Sequence, residues 1–323
     1  MTCPFPQEIL DTIVSELDDR FLGQCSLSSW SLLLPTRRSR FRCIVISQGD
    51  ETLLAPGYNC KKFLNLIQIL ENDPSRQPPR AREGYPTLSS CIRSLVLGIT
   101  SDGFRAVDKN PALAPVSLIQ DQQRGADSLL PAVLERLTHV ARVSLYSDGR
   151  ACVWRLIDPS ITSAIVNLLR SPAIKTLALI SIRGFPAVTI IHCPNLTELV
   201  LSDMDQDNST IAIDTLAAPQ SPNPRSVCKS PSFPPSLVRL RSRASESFLV
   251  SLFNTPNVAV VFENLQELFL REFGIRDINA VLLAVNAVAK TLQVLRIVNV
   301  DLVNNSTSFP LGKRATSLMS ENP

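Results

Sequence analysis

Few residues of this sequence have the type and spacing that catalysis or metal binding requires. The chain has two histidines, His139 and His192. His192 precedes Cys193, and a thiol beside a base could form a nucleophilic pair, but the side chains of adjacent residues do not generally face each other. Neither histidine has a cysteine or carboxylate partner at metal-ligand spacing. We therefore interpret both histidines as structural and expect no metal.

The cysteines and glycines also lack a catalytic pattern. The eight cysteines occur singly, at Cys3, Cys25, Cys43, Cys60, Cys91, Cys152, Cys193 and Cys228. Without a C-x-x-C pair, they are typical of reduced, mostly buried thiols in an intracellular protein. No phosphate-binding or nucleophile-elbow glycine motif occurs, and Gly312-Lys313-Arg314 lacks the phosphate loop. We expect neither enzymatic activity nor a cofactor.

Composition favours a folded protein without a nucleic-acid or membrane partner. The chain has 323 residues, of which 45% are hydrophobic and 19% charged, and its formal net charge is +3. The run Arg37, Arg38, Arg40, Arg42 is interpreted as a solvated helix face because no aromatic-interleaved basic stripe accompanies it. The longest apolar run, near 280–289, is too short for the roughly 20 residues of a membrane span. An early acid, Glu8, argues against a secretory signal, so we expect a cytoplasmic or nuclear protein.

Residues 1–46 are predicted to form one small helical unit. Apolar side chains recur at helical spacing at Ile9, Leu10, Ile13, Val14 and Leu17. A second helix follows, Thr36 is predicted to cap a third, and Cys43–Ile46 is predicted to be a strand. Three short helices bury little surface, so a partner or docking onto the next domain is expected.

Residues 60–303 carry a repeated pattern: an apolar residue, two variable ones, leucine, one variable and leucine. It starts at Ile92, Val140, Ile174, Leu196, Leu265 and Leu292, with a partial copy at Leu237. Helix-like segments precede most copies, at Lys62–Leu70, Ser128–Leu137, Ser160–Leu169, Ser245–Phe253 and Ile278–Ala289. One helix and one strand per unit is typical of leucine-rich repeats, whose period is about 20–29 residues.

The unit lengths and the interruptions predict an irregular array. Successive full copies start 48, 34, 22, 69 and 27 positions apart. A Pro/Arg-rich stretch at 77–86 and a Pro/Ser-rich insertion at 217–236 are interpreted as loops, and the polar tail 304–323 as disordered. The predicted fold class is α/β, a short all-helical N-terminal module followed by an irregular leucine-rich-repeat solenoid.

The N-terminal unit resembles the F-box of fungal F-box-like proteins. Phe5-Pro6-Gln7-Glu8-Ile9-Leu10 is similar to the opening of that family, and Cys25-Ser26-Leu27 with Ser29-Trp30 to its second landmark. Pro35 followed by Arg37-Arg38-Ser39-Arg40-Phe41 resembles its end. The resemblance implies a substrate-recognition subunit of an SCF-type (Skp–cullin–F-box) ubiquitin ligase. Its partners would be a Skp-type adaptor and an unknown target protein.

Two sets of candidate binding residues follow. By the resemblance, the residues for docking the adaptor, or for packing the module, are Pro6, Ile9, Leu10, Ile13, Leu22, Leu27 and Trp30. In the repeats, the variable positions between the leucines would face a target. Of these, the candidate partner-binding residues are Arg142, Tyr146, Glu267, Phe269, Arg271 and Arg296. The three arginines among them would suit a phosphate if they converge.

The repeats depart from the family template, which leaves alternatives open. The positions where leucine-rich repeats place asparagine or cysteine are Thr100, Asp148, Ile182, Met204, Phe273 and Val300. One alternative is a leucine-rich-repeat scaffold unrelated to ubiquitin, with the N-terminal helices as its cap. The other is a pseudogene-like or mispredicted chain, against which a sharp cooperative melt would argue.

Overall fold

The computed structural model shows an α/β fold in which helices accompany one parallel β-sheet. The described residues are 6–28, 30–46, 66, 88–99, 129–147, 152–205, 236–255, 259–272 and 278–298. The predicted helix at 62–70, the loop at 77–86, the insertion at 217–236 and the tail at 304–323 lie wholly or almost wholly outside these residues.

The main sheet has eight parallel strands, arranged in the order in which they occur along the chain. They are β1 (Cys43–Ile46), β2 (Ser94–Ile99), β3 (Arg142–Ser147), β5 (Thr176–Ile180), β7 (Glu198–Ser202), β8 (Arg239–Arg243), β9 (Glu267–Arg271) and β10 (Val294–Val298). A second sheet pairs β4 (Cys152–Val153) with β6 (Ile182–Arg183).

Helices precede or connect the strands. In the described residues the helices are α1 (Gln7–Ser15), α2 (Asp19–Ser28), α3 (Trp30–Arg40), α4 (Leu88–Cys91), α5 (129–136), α6 (Pro159–Leu169), α7 (Val188–Ile191), α8 (Glu246–Asn254) and α9 (Ile278–Val288). Two 3₁₀ segments cover Trp154–Leu156 and Ala259–Phe262. The start of α6 illustrates the local cause: Pro159 occupies its first position, and the Asp158 carboxylate accepts the Ser160 N–H at 2.7 Å.

The core lies on the sheet face that carries the repeated leucines. Because side chains alternate between the faces of a strand, the parallel register aligns these residues in rows across the sheet. One row, called here the leucine row, contains Ile46, Leu97, Leu145, Leu179, Leu201, Ser242, Leu270 and Ile297. The leucines of this row are fully buried and belong to one continuous core.

The N-terminal helices have a small core of their own. Leu10, Val14 and Leu22 are buried but do not belong to the main core. Helix α3 contacts both α1 and α2, and it also contacts α4 beside the sheet. The sequence predicted a third helix beginning at Thr36. The helix α3 instead begins at Trp30 and continues past Pro35 to Arg40. Pro35 is buried, so packing outweighs the backbone hydrogen bond that proline cannot make.

The sheet corrects the predicted fold class. We expected a short all-helical F-box module followed by an irregular leucine-rich-repeat solenoid, and this prediction is wrong. The fold is instead an α/β fold whose single main sheet begins inside residues 1–46, because β1 pairs in register with β2. The amides of Arg93 and Ser94 both donate to the Arg42 carbonyl at 2.9 Å. The leucine spacing located individual strands but could not show how the first of them joins the others.

The turns after the strands differ from the asparagine-based plan as well. Ile182 and Met204, at two of the expected asparagine positions, are buried apolar side chains. The residues that directly follow β5, β7, β8 and β9 instead have positive φ: Ser181, Asp203, Ala244 and Glu272. Their amides donate to carbonyls at the end of the next strand at 2.8–3.1 Å. The amides of these left-handed residues therefore make hydrogen bonds to the strand-end carbonyls that an asparagine side chain would otherwise make.

Candidate functional site

The second face of the main sheet carries a cluster of charged side chains at its C-terminal end. We call it the arginine surface; it contains Arg239, Arg241 and Arg243 of β8, Arg271 of β9 and Arg296 of β10, with Glu198, Glu267 and Glu272. All lie on or directly after adjacent strands. Alternation along β8 places its three arginines on this face, whereas Leu240 and Ser242 point to the core.

Arg239 is held between two glutamates. It lies opposite Glu267 in the register of β8 and β9. Its Nε and Nη2 donate to Glu267 Oε2 and Oε1 at 2.6 and 3.0 Å, which is the bidentate geometry of a strong arginine–carboxylate pair. On the other side, Arg239 Nη1 lies 3.8 Å from Glu198 Oε1. The side chains of Arg239 and Glu267 are therefore fixed by each other.

A second ion-pair group lies at the carboxyl ends of the strands. Arg243 Nε donates to Glu272 Oε2 at 2.6 Å. Arg271 Nε lies 3.3 Å from Glu272 Oε1, but the angles do not make a hydrogen bond, and this buried nitrogen has no hydrogen-bond partner. Glu272 therefore holds Arg243 closely and Arg271 only by charge.

The charges shift the pKa values of the Arg239–Glu267 pair in the expected directions. The hydrogen bond from Arg239 lowers the pKa of Glu267 against a smaller opposing effect of burial, and the charges of Arg239, Arg241 and Arg296 lower it further. The same hydrogen bond raises the pKa of Arg239. Both groups are therefore ionised at neutral pH.

Two exposed arginines of the arginine surface, Arg241 and Arg296, form no hydrogen bond with a carboxylate. Five arginines against three glutamates leave the arginine surface a net charge of +2. Arg241 Nε is 3.6 Å from Glu198 Oε1, without a hydrogen bond, and Arg296 forms no ion pair or hydrogen bond with a described residue. Both side chains are exposed. They lie in one row across β8, β9 and β10, on either side of Phe269.

The structure brings together four of the six predicted partner-binding residues. Glu267, Phe269, Arg271 and Arg296 lie on the arginine surface. Arg142 and Tyr146 lie on β3, four strands from β9 in the sheet. At about 4.8 Å per strand, this separates them from Arg271 and Arg296 by roughly 20 Å. The three arginines considered for a phosphate therefore do not converge.

The arginines of β8 were not among the predicted binding residues. They fall in the partial repeat that starts at Leu237. The leucine spacing of that repeat carries no information on the residues between the leucines. The signal that could have identified them is the strict alternation Arg239-Leu240-Arg241-Ser242-Arg243, which predicts a strand with one cationic face.

The predicted adaptor-binding residues divide into exposed and buried groups. Ile9 and Ile13, one helical turn apart on α1, are 45% and 47% exposed. Phe21 of α2, which was not among the predicted residues, is 44% exposed. Pro6 is also exposed, whereas Leu10 and Leu22 are buried in the small helical core. The side chains of the remaining two candidates, Leu27 and Trp30, lie outside the described part of the structure.

The residues considered first for nucleophilic chemistry are not arranged for it. Cys193 is buried, and its thiol donates to the Thr189 carbonyl at 3.5 Å. Burial raises the pKa of this thiol to about 12. Burial, followed by the charge of Arg170, lowers the pKa of His192. At neutral pH the pair is a protonated thiol beside an imidazole that burial keeps neutral, so it supplies no thiolate.

No cluster of metal-ligating side chains occurs among the described residues. In the same part of the chain, no helix has the length and apolar character needed to cross a bilayer. The described cysteines, which are Cys25, Cys43, Cys91, Cys152 and Cys193, are all free thiols.

Comparison with known proteins gave no match: no protein-family model matches the chain, and neither does any curated protein. The similarity to F-box proteins therefore depends on the short N-terminal motifs alone. What the structure adds is an α/β fold with two candidate binding surfaces, one apolar on α1 and α2 and one charged on β8, β9 and β10.

Proposed function

We propose that this chain is a substrate-recognition subunit of an SCF-type ubiquitin ligase. In this proposal, the N-terminal helices dock a Skp-type adaptor and the arginine surface binds a target protein. The chain does no chemistry itself; it raises the effective concentration of a target lysine near a charged ubiquitin-conjugating enzyme. The proposal needs no cofactor and places the chain in the cytoplasm or nucleus.

The observation that carries the proposal is a set of exposed apolar side chains on α1 and α2. Ile9, Ile13 and Phe21 remain exposed, although neighbouring side chains on the same helices fill a separate small core. A helical unit of this size stabilises itself weakly, and exposed apolar side chains at helical spacing are typical of protein-binding faces. This is the part of the chain that resembles the adaptor-docking module of F-box proteins.

A pull-down of the full chain with a purified Skp-type adaptor tests the proposal. The variant should combine Ile9→Asp and Ile13→Asp, since both side chains are exposed and their replacement leaves the small core intact. Leu156→Asp is a matched control, because Leu156 is similarly exposed but lies in the Trp154–Leu156 segment. We expect binding by the parent and the control and loss in the double variant. Absence of binding by the parent chain would refute the adaptor role.

A second candidate function is an interaction scaffold whose N-terminal helices cap the sheet. It is favoured by the position of these helices, because β1 follows α3 directly and pairs with β2, and α3 contacts α4. A truncation that removes residues 1–41 and keeps β1 separates the two functions. Loss of the cooperative thermal transition would favour the cap, and an unchanged transition with loss of adaptor binding would favour docking.

A further inference from the structure

The arginine surface has a geometry that specifies a class of target. Arg241, Phe269 and Arg296 are aligned in one row on three adjacent strands, with the aromatic ring between the two cations. At about 4.8 Å per strand, the two arginine Cα atoms are roughly 10 Å apart. An extended polypeptide rises about 3.3 Å per residue, so residues three positions apart are separated by roughly this distance.

The two arginines of this row are available to a ligand. Arg239 and Arg243 already hold glutamates at 2.6 Å, so their charges are largely compensated within the protein. Arg241 has no hydrogen bond to its nearest carboxylate, and its side chain is 46% exposed. Arg296 forms no ion pair or hydrogen bond with a described residue. Guanidinium groups with unused donors favour carboxylates because they can bind both oxygens at once.

The surroundings of Arg296 favour an apolar side chain in the same ligand. Val294 and Val298 flank Arg296 on this face of β10, and both are exposed. Together with Phe269 they form an apolar rim around a cation. An apolar rim lowers the local dielectric constant and strengthens a charge pair formed inside it.

The glutamates of the surface argue against a nucleic-acid ligand. Glu198, Glu267 and Glu272 are interleaved with the arginines, and they would repel a continuous row of phosphates. Separate acidic side chains can instead meet Arg241 and Arg296 and avoid the glutamates. The alternating charges therefore favour a polypeptide with spaced acidic residues.

We infer that the arginine surface binds an extended acidic segment of the target protein, with carboxylates on Arg241 and Arg296 and an apolar side chain on Phe269. This inference rests on the proposed function, since it names the class of target that the recognition subunit would take. It does not depend on adaptor binding, which is assigned to α1 and α2.

Fluorescence polarisation with a labelled dodecapeptide tests the inference on the full chain. The probe consists of glutamates around two central leucines, and its neutral counterpart has glutamine at every glutamate position. We expect the acidic probe to bind at least about tenfold more tightly than the neutral one. Its affinity should fall as NaCl is raised from about 50 mM to about 300 mM. Equal binding of both peptides would overturn the inference.

Arginine substitutions show where on the protein the acidic peptide binds. Combining Arg241→Glu and Arg296→Glu should weaken binding at least about tenfold, whereas Arg142→Glu, an exposed arginine on β3, should change it less than about twofold. Arg241→Gln with Arg296→Gln should give an intermediate loss, and it serves if the charge reversal impairs folding, as monitored by the thermal transition. Unchanged binding in either double variant would overturn the inference.

Two further binding experiments identify the chemical group that supplies the negative charge of the ligand. A peptide with phosphoserines beside the leucines shows whether the arginines prefer phosphate to carboxylate, and binding of either acidic peptide supports the inference. Displacement of the acidic probe by a lower concentration of single-stranded DNA would overturn it. Adaptor pull-downs with the same arginine variants should match the parent, so failure of the adaptor role and failure of the acidic-target inference give different results.

Discussion

The middle and the C-terminal end of the main sheet carry the same leucine pattern, but its apolar side chains are buried in the middle and exposed at the C-terminal end. In the leucine row, Leu97, Leu145 and Leu179 are fully buried, whereas Ile297 on β10 is 44% exposed. Leu295, in the neighbouring row, is equally exposed. Among the described residues, β10 is the last strand of the sheet and pairs with β9 alone. The strand at the opposite edge, β1, nevertheless keeps Ile46 of the same row buried. Burial is therefore set by what covers a strand and not by the leucine motif it carries.

The largest expected effect comes from truncating equivalent positions in the two regions. Leu179→Ala should lower the free energy of unfolding by about 3 kcal/mol, because it removes buried methyl groups and leaves a cavity between rigid neighbours. Ile297→Ala should lower it by no more than about 1 kcal/mol, since nearly half of that side chain is already in water. Chemical denaturation of both variants measures the difference. Equal losses would show that β10 is as well packed as β5.

The same comparison shows which features the sequence could predict. Leucine spacing located the strands, because a fully buried row needs the same apolar type in each copy. It could not predict that Ile297 is exposed, because exposure depends on what lies beyond β10. The partial copy that starts at Leu237 lacks the last leucine, but the sequence could not show that Ser242, which stands there, is buried without a hydrogen-bond partner. The arginine surface was predicted only in part, since its ion pairs join residues far apart in the chain, such as Arg239 and Glu267.

A smaller effect should come from Ser242, the polar member of the leucine row. It lies between Leu201 and Leu270 in the register, and its hydroxyl is buried without a hydrogen-bond partner. Ser242→Ala should therefore raise the free energy of unfolding, by about 1 kcal/mol, because it removes a polar atom that was desolvated without compensation. The midpoint of thermal or urea unfolding measures the change.

Ser202 provides a control for which the expected change in the free energy of unfolding has the opposite sign. It is equally buried, but its hydroxyl donates to the Asp203 carboxylate at 2.8 Å. Ser202→Ala should therefore destabilise the protein, by about 1 kcal/mol, since it breaks a hydrogen bond that Ser242 does not make. If both substitutions changed stability in the same direction, the two hydroxyls could not differ in hydrogen bonding as the structure shows.

The smallest effect concerns the ion pairs on the second face of the sheet, at its C-terminal end. The hydrogen bond from Arg239 lowers the pKa of Glu267, so the folded state binds the proton less readily than the unfolded chain. The pair therefore stabilises the protein fully above the unfolded glutamate pKa of about 4.3 and loses this contribution as pH falls through the lower folded value. Both side chains are more than one third exposed, which limits the contribution to less than about 1 kcal/mol.

Glu267→Gln tests this contribution. At pH 7 the variant should unfold at slightly lower denaturant concentration than the parent, and the difference should shrink as pH falls below the unfolded glutamate pKa and through the lowered folded value, where the parent carboxylate is also protonated. Glu263→Gln is the matched control, because Glu263 lies just before β9, is exposed and forms no ion pair with a described residue. A Glu267→Gln difference that persisted unchanged in acid would mean that shape and packing at this position, and not the charge on Glu267, stabilise the junction of β8 and β9.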